Sequence, residues 1–302
     1  MRKFFRTIWW IITAPFRFVG WVLNRIGNWI KNVFTAITKV FTDEPDDTPI
    51  VDTVGMAFDN PKEFGMGLLE HLNELRKHLF RAALFMVITT TITAFFMRDL
   101  LAFITEPVGG IDALQAIEVT ESISVVVRVA LLGGFALAMP YIIFELYLFV
   151  APGLKVRARL TGLITIPVAF LLFVGGMAFA YFVMMPTALP FLLEFMGIPS
   201  KIRPASYINF VTSLLFWIGI AFQFPLLVFA AAGMGLVRAE DLMRQWRIAI
   251  VVIAIISAMI TPTIDPINMG LVMGPMIVLY FLGVGLAFIA QGRRNKKALE
   301  TQ

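Results

Sequence analysis

The chain of 302 residues contains no cysteine and only two histidines. The absence of cysteine excludes disulfide bonds and thiolate chemistry. Charged residues are also scarce, at 15%, whereas hydrophobic residues reach 59% and the mean hydropathy is +0.84. A soluble domain of this length does not need so many apolar side chains. The composition therefore predicts a membrane protein.

Acidic residues are missing from residues 1–42, which hold seven basic residues and four tryptophans. The longest uncharged run in this segment is ten residues, and a transmembrane helix needs about twenty. Apolar residues at helical spacing predict two amphipathic helices, broken near Pro15, in the headgroup layer of an anionic leaflet. A cleaved signal peptide is the alternative, but its apolar region would be short. Residues 43–66 carry seven acids and three prolines, which is typical of a flexible linker.

The stretch 68–97 changes character halfway. Its first half has leucines on one helical face and charged residues on the opposite face, namely Leu68, Leu72, Leu75 and Leu79 against Glu70, Glu74, Lys77 and Arg81. Residues 82–97 carry no charge. This pattern predicts one helix that begins near Gly65 and Gly67, lies at the membrane surface and then enters the membrane.

Uncharged runs predict an all-α membrane domain at 67–292, followed by a cytoplasmic tail at 293–302. Six transmembrane helices are expected at about 79–97, 123–148, 160–183, 207–230, 248–260 and 267–290. Pro186 and Pro190 predict that the third helix ends near Val183 and that a loop follows. Basic residues concentrate on one side, including a predicted loop at 238–247, so both termini are expected in the cytoplasm. Prolines inside the spans predict a kinked, concave bundle.

A series of short motifs follows the spans in order. They are HLNELRKHL (71–79), ITEPVGG (104–110), VTESI (119–123), LYLFVAPGL (146–154), GGMAFAYFVMMP (175–186), SYINFV (206–211), FQFP (222–225), AEDLMRQWR (239–247) and TPTIDP (261–266). Each motif is weak alone, but together they resemble the TatC family, the multispanning subunit of the twin-arginine protein translocase. The resemblance covers about 68–292.

The resemblance implies a receptor for signal peptides with consecutive arginines on folded cargo. Such a receptor recruits single-span TatA and TatB partners in an oligomeric complex of the bacterial-type cytoplasmic membrane, and the proton-motive force drives transport. No covalent chemistry is implied, so we expect neither an enzyme nor a cofactor. The basic loops are interpreted as topology determinants rather than nucleic-acid sites.

Recognition of paired arginines calls for carboxylates at the cytoplasmic membrane edge, because the planar guanidinium matches a carboxylate bidentately. Glu74 matches the glutamate of the family's first motif, and Arg76 lies in the same motif. Phe149 and Pro152, in the FVAPGL turn, are expected to shape the same pocket. The alternative is that Glu74 pairs only within its own helix, with Lys77, His78 or Arg81.

The chain departs from the family pattern just past that turn. The family usually places a second glutamate where this chain has Ala158, and Lys155 adds positive charge. A pocket without that carboxylate should repel arginines. Glu145 and Glu70 are candidates to replace it, and their spacing does not decide between them.

Gln223 stands where the family carries an acid in the fourth span. Two interpretations stay open, an interhelical hydrogen bond and a polar spot in a groove that receives the signal peptide. Pro107, Glu121 and Asp265 lie in family-like stretches and are expected to make structural or partner contacts. His71 and His78 can share a helical face, but a third ligand for a metal site is not evident.

Two other functions have to be weighed. A secondary transporter is disfavoured because the spans contain few ionisable groups and the two halves show no convincing repeat. A membrane-embedded enzyme is disfavoured further, since the spans lack clustered acids. A diverged TatC paralogue with altered cargo recognition is the alternative closest to the favoured function.

Deleting residues 1–42 should weaken peripheral anchoring without destroying the membrane domain, because the segment is too short in apolar runs to span. Alkaline extraction and protease protection of the truncated chain in membranes would measure both properties. A truncated chain that failed to insert at all would contradict the assignment of this segment to the membrane surface.

Overall fold

The structure is a computed structural model that describes residues 27, 35, 61–118, 120–151, 156–194, 202–261 and 266–300. Apart from residues 27 and 35, the predictions for residues 1–60 lie outside these ranges, as do those for Pro152, Lys155 and Asp265. Within them, all regular secondary structure is helical, as predicted from the uncharged runs.

The chain divides into two compact units, and the larger one contains Gly67–Tyr147 and Gly162–Gln302. The packing described below lies within this larger unit.

The described helices follow the order of the predicted spans. They are α1 (Pro61–Phe95), α2 (Met97–Thr105), α3 (Glu121–Val150), α4 (Val156–Phe179), α5 (Met185–Glu194), α6 (Pro204–Ala221), α7 (Phe224–Met234), α8 (Ala239–Arg244), α9 (Trp246–Ile260) and α10 (Pro266–Glu300). Two single 3₁₀ turns, Glu106–Val108 and Ile111–Ala113, follow α2. A π-helical turn, Ala180–Met184, joins α4 to α5.

Five segments in the described ranges are long and apolar enough to cross a membrane. They are His71–Phe95, Glu121–Val150, Gly162–Pro190, Pro204–Met234 and Met269–Gly292. The predicted fifth span corresponds to α9, which has only 15 residues. Such a helix rises about 22 Å, against a hydrocarbon core of about 30 Å. The count of six spans and the orientation of the termini therefore stay predictions.

Helix boundaries differ from the prediction at both ends of the membrane domain. The first helix begins at Pro61 rather than near Gly65 and Gly67. Proline is well suited to the first turn of a helix, where its missing N–H has no acceptor to lose. The last helix continues to Glu300, so residues 293–300 of the predicted tail are helical and continuous with the predicted sixth span.

The prediction of a loop after Val183 is wrong. The chain stays helical through Glu194, despite Pro186 and Pro190. Proline disrupts an α-helix because it removes one N–H and its ring collides with the preceding turn. The π turn Ala180–Met184 widens the helix just before Pro186, and such bulges are a common way to accommodate a break in the helical ladder.

The predicted loop at 238–247 is also wrong, because it contains the short helix α8. Glu240 and Asp241 lie in its first turn and Arg244 in its last, which matches the helix dipole at both ends. The Gln291 side chain of α10 accepts a hydrogen bond from the Ala239 N–H at 3.0 Å and donates to Glu240 at 3.1 Å. These contacts fix the segment against the last helix.

The main hydrophobic core joins α2, α3, the π turn, α5, α6 and α10. Its most buried side chains include Val129, Met184, Met185, Ile208, Val211, Ile218 and Val272. A second cluster joins α7 to α10 through Val228, Ala232 and Ala287. The core therefore lies between the predicted spans, while many apolar side chains on the outer faces are exposed, as expected where lipid replaces water.

Two glycines let α1 and α3 approach closely. A Cβ on Gly134 would lie 2.5 Å from the Cα and 2.7 Å from the N of Thr90, and one on Gly133 would lie 2.5 Å from the Thr93 Cγ2. The Thr89 hydroxyl donates to the Gly134 carbonyl at 2.8 Å. Small residues and a hydroxyl are the usual means by which membrane helices pack tightly.

Gly134→Ala should destabilise the chain by about 1–3 kcal/mol, because the added methyl meets backbone that can move only if the helices separate. The melting temperature in detergent measures the loss. Gly175→Ala is the matched control, since a Cβ there meets nothing within 4 Å. Equal melting temperatures for the two variants would contradict the close approach of α1 and α3.

Candidate functional site

Glu74 lies on the cytoplasmic half of α1, as the orientation predicted above has it, and its side chain is 55% exposed. Its ion-pair contact is with His71 on the same helix, at 3.9 Å from Nδ1 to Oε2. That distance exceeds hydrogen-bond range. The contact lies within the same helix, as the alternative holds, but its partner is His71 rather than Lys77, His78 or Arg81. His78 and Arg81 contact a different carboxylate.

That carboxylate is Glu145, which is 2% exposed near the end of α3. The Tyr141 hydroxyl, one turn earlier, donates to Oε1. The Nδ1 of His78 lies 2.6 Å from Oε2, and a terminal nitrogen of Arg81 lies 3.5 Å from the same oxygen. A terminal nitrogen of Arg81 also lies 3.2 Å from the His78 Nδ1, so the three side chains contact one another.

The helical periods of α1 and α3 explain why these four groups meet. His78 and Arg81 are three residues apart, and Tyr141 and Glu145 are four apart, so each pair occupies one face. The Phe85 and Tyr141 rings contact at 4.4 Å between centroids and lie beside the polar groups. A carboxylate buried alone among apolar helices would be costly, and a guanidinium, an imidazole and a hydroxyl beside it offset that cost.

Arg76 does not share the face of Glu74. Two residues along an α-helix correspond to a rotation of about 200°. Arg76 instead lies with apolar side chains on a shallow surface lined by Leu72, Leu75, Leu79, Phe80 and Ala83. His78 and Arg81, four and seven residues after Glu74, return to its face. The helical period thus places Glu74 on the face of α1 that carries His78 and Arg81, and places Arg76 away from that face.

Gln223 lies at a break in the fourth span, between α6 and α7. It is buried, and its side-chain amide donates to the Ala169 carbonyl of α4 at 3.1 Å. Pro225, two residues later, removes a backbone donor and accounts for the break. The geometry matches the interhelical hydrogen bond, the first of the two interpretations.

The remaining predicted residues are scattered. Phe149 is half-buried near the end of α3, and Pro152 lies outside the described residues, so their predicted pocket stays a prediction. Pro107 is exposed in the 3₁₀ turn after α2. Glu121 is buried at the start of α3. Asp265 lies outside the described residues.

Glu121 belongs to a second polar cluster, at the opposite end of α3 from Glu145. Arg203 donates to it from Nε at 3.0 Å and from a terminal nitrogen, and also contacts Glu118 at 3.0 Å. The hydrogen bond to Glu121 and that to Glu118 raise the pKa of the Arg203 guanidinium above its ordinary value. Arg128, further along α3, donates to the Asn209 side chain of α6.

Two tyrosines secure the same end of the molecule. The Tyr181 hydroxyl donates to the Phe103 carbonyl at 2.6 Å, and the Tyr207 hydroxyl donates to the Ile104 carbonyl at 2.7 Å. Both carbonyls belong to the last turn of α2, where helical carbonyls run short of N–H donors. The Phe103 carbonyl also accepts from the Glu106 N–H, so the two hydroxyls supplement the backbone cap. These hydrogen bonds hold the end of α2, in the segment between the first two predicted spans, as a structured cap.

Sequence reasoning treated His78 as a solvated or metal-binding residue and did not single out Tyr141 or Arg203. In the described part of the chain, no group of three or more residues can hold a metal ion. A usable signal for the buried cluster was present. Glu145 is a lone acid in the apolar second span, and ionisable residues inside spans are rarely without a partner.

The fold and these clusters define a multispanning helical membrane protein. One of its spans, α3, carries a buried glutamate near each end, and each glutamate contacts an arginine. The chain matches the family model "Sec-independent protein translocase protein (TatC)" over residues 70–275. It is 33% identical over 248 residues to the TatC protein of Koribacter versatilis, covering 79% of this chain and 91% of that one. It is also 33% identical over 229 residues to TatC of Deinococcus radiodurans, covering 73% and 85%.

A solved structure shares the fold. The crystal structure described as "Twin Arginine Translocase Receptor- TatC" superposes with a TM-score of 0.65 at 26% identity, covering 73% of this chain and 99% of that one. The chain belongs to the TatC family of Sec-independent protein translocases. The predicted family and the prediction of a translocase component rather than an enzyme are thereby confirmed.

Arg203→Gln should lower the melting temperature in detergent by more than Glu118→Gln does. The first change leaves the buried Glu121 without its guanidinium, and one oxygen of Glu121 already lacks a hydrogen-bond partner. The second change removes a carboxylate that is 65% exposed, where an ion pair contributes little. A larger effect of Glu118→Gln would show that the exposed pair, not the buried one, holds the cap.

Proposed function

We propose that this chain is the receptor subunit of a twin-arginine translocase, which binds the signal peptides of folded cargo through Glu74. The proposal is supported by membership in the TatC family and by the fold shared with a protein described as a twin-arginine translocase receptor. The receptor function described for that relative is thus proposed for this chain.

The observation that carries the proposal is the state of Glu74. Its carboxylate is half exposed on the face that also bears His78 and Arg81, and its ion-pair contact within the described ranges, at 3.9 Å, is too long for a hydrogen bond. Oxygen lone pairs on Glu74 therefore remain open to a guanidinium. Arginine can engage them with two parallel N–H groups, whereas lysine offers a single point charge.

We further propose a membrane topology and a set of partners for this chain. The chain spans the bacterial-type cytoplasmic membrane six times, with α9 as the fifth span, and both termini are cytoplasmic by the distribution of basic residues. It works in an oligomeric complex with single-span TatA-like and TatB-like partners, powered by the proton-motive force. Residues 1–42 hold anionic lipid headgroups.

The test is photo-crosslinking of a signal peptide to the full chain in membrane vesicles. The Arg-Arg peptide should be captured. The Lys-Lys peptide should be captured at least about tenfold more weakly, because each hydrogen bond to a charged group contributes roughly 1.5–3 kcal/mol. Glu74→Ala should reduce capture of the Arg-Arg peptide by a similar factor.

Asn73→Ala is the matched control, since residue 73 is the exposed neighbour of Glu74 on the same helix. It should leave capture unchanged. Equal capture of the Arg-Arg and Lys-Lys peptides by the unaltered chain would refute a twin-arginine receptor. Equal capture by Glu74→Ala and the unaltered chain would refute the role of Glu74.

A further inference from the structure

One carboxylate cannot hold two arginines bidentately, and this chain has Ala158 in place of a second glutamate past the FVAPGL turn. The buried cluster around Glu145 provides another carboxylate. His78 links the two acids along α1, because it lies one turn after Glu74 and its Nδ1 is 2.6 Å from Glu145. Glu145 therefore contacts the face of α1 that carries Glu74, about one helical turn further along the helix.

Glu145 is already occupied by a guanidinium, but loosely. The Arg81 nitrogen lies 3.5 Å from Oε2, beyond the roughly 2.7–2.9 Å of a charge-assisted hydrogen bond. Arg81 is 41% exposed, whereas Glu145 is 2% exposed. The Arg81 side chain therefore leads from solvent to the buried carboxylate, and a second guanidinium can follow the same course.

Two other side chains contact Glu145, namely Tyr141 and His78, and the His78 Nδ1 also lies 3.2 Å from the Arg81 guanidinium. The Tyr141 hydroxyl donates to one oxygen and His78 approaches the other. Both belong to the cluster's own helices and stay in place if Arg81 swings away. An oriented carboxylate with one weakly held cation is suited to exchange one guanidinium for another.

We propose that Glu145 is the second carboxylate of the signal-peptide site and that Arg81 occupies it until an arginine of the peptide displaces it. The proposal rests on the proposed function. Exchange of one guanidinium for another leaves no buried charge without a partner, which avoids the main cost of opening a buried ion pair. Lysine can replace the charge but not the planar fork.

The experiment uses four signal peptides, Arg-Arg, Arg-Lys, Lys-Arg and Lys-Lys, crosslinked to the full chain in membrane vesicles. The unaltered chain should discriminate against lysine at each position. Glu145→Gln, which keeps the shape of the side chain, should lose discrimination at one of the two positions, by about tenfold, and keep it at the other. Glu74→Ala should lose discrimination at the complementary position.

Arg81→Gln removes the internal competitor and should raise capture of the Arg-Arg peptide several-fold, while Arg81→Lys should raise it less. Glu240→Gln and Arg244→Gln, exposed changes on α8, are the matched controls and should alter nothing. If Glu145→Gln fails to accumulate in membranes, the comparison of Arg81→Gln with Arg81→Lys tests the proposal, because both variants keep Glu145.

The outcomes separate the two proposals. An unaltered chain that binds all four peptides equally would refute the proposed function itself. An unaltered chain that discriminates, with Glu145→Gln discriminating identically or weakening all four peptides by one factor, would overturn only the role of Glu145. Reduced capture by Arg81→Gln would show that Arg81 contributes to the site rather than competing for it.

Discussion

A carboxylate buried between apolar helices has to find its partners on those helices, and the arrangement of α1 against α3 depends on this requirement. Glu145 draws His78 and Arg81 toward α3, and Tyr141 completes its coordination. Contact at these distances is feasible because glycines bring the two backbones together further along the same interface. Close packing and charge pairing therefore support each other, and neither is sufficient alone in a bilayer, where helices gain little from hydrophobic burial.

The scarcity of charge in this chain concentrates its chemistry at the two ends of α3. One end carries Glu121, bound by an arginine from the loop before α6, and the other carries Glu145. The first cluster lies under a cap whose helix end is closed by two tyrosine hydroxyls, which suits a structural role. The second lies on the face of α1 that also carries the exposed Glu74, which suits the recognition role proposed above. Ion pairs of the same kind thus suit a structural role at one end of α3 and the proposed recognition at the other.

Sequence alone was sufficient for the class, the order of the spans and the family, because long apolar runs and ordered motifs are local signals. It failed where a local rule was overridden by neighbours. Pro186 and Pro190 signal a helix end, yet a π turn carries the helix through them. The partners of Glu145 were equally hidden, since residues 78 and 145 are distant in sequence and only packing of α1 on α3 brings them together. Gln223 shows the same limit, because its acceptor on α4 is a backbone carbonyl that no side-chain pattern reveals.

The π turn has a further consequence for how this helix tolerates change in length. A π turn holds one residue more than an α turn, and each residue of an α-helix advances the side-chain direction by about 100°. Removal of a single residue within Ala180–Met184 can therefore be absorbed by conversion of the π turn to an α turn, which leaves α5 facing nearly the same direction. A deletion within the regular part of α4 would instead rotate everything beyond it by about 100°.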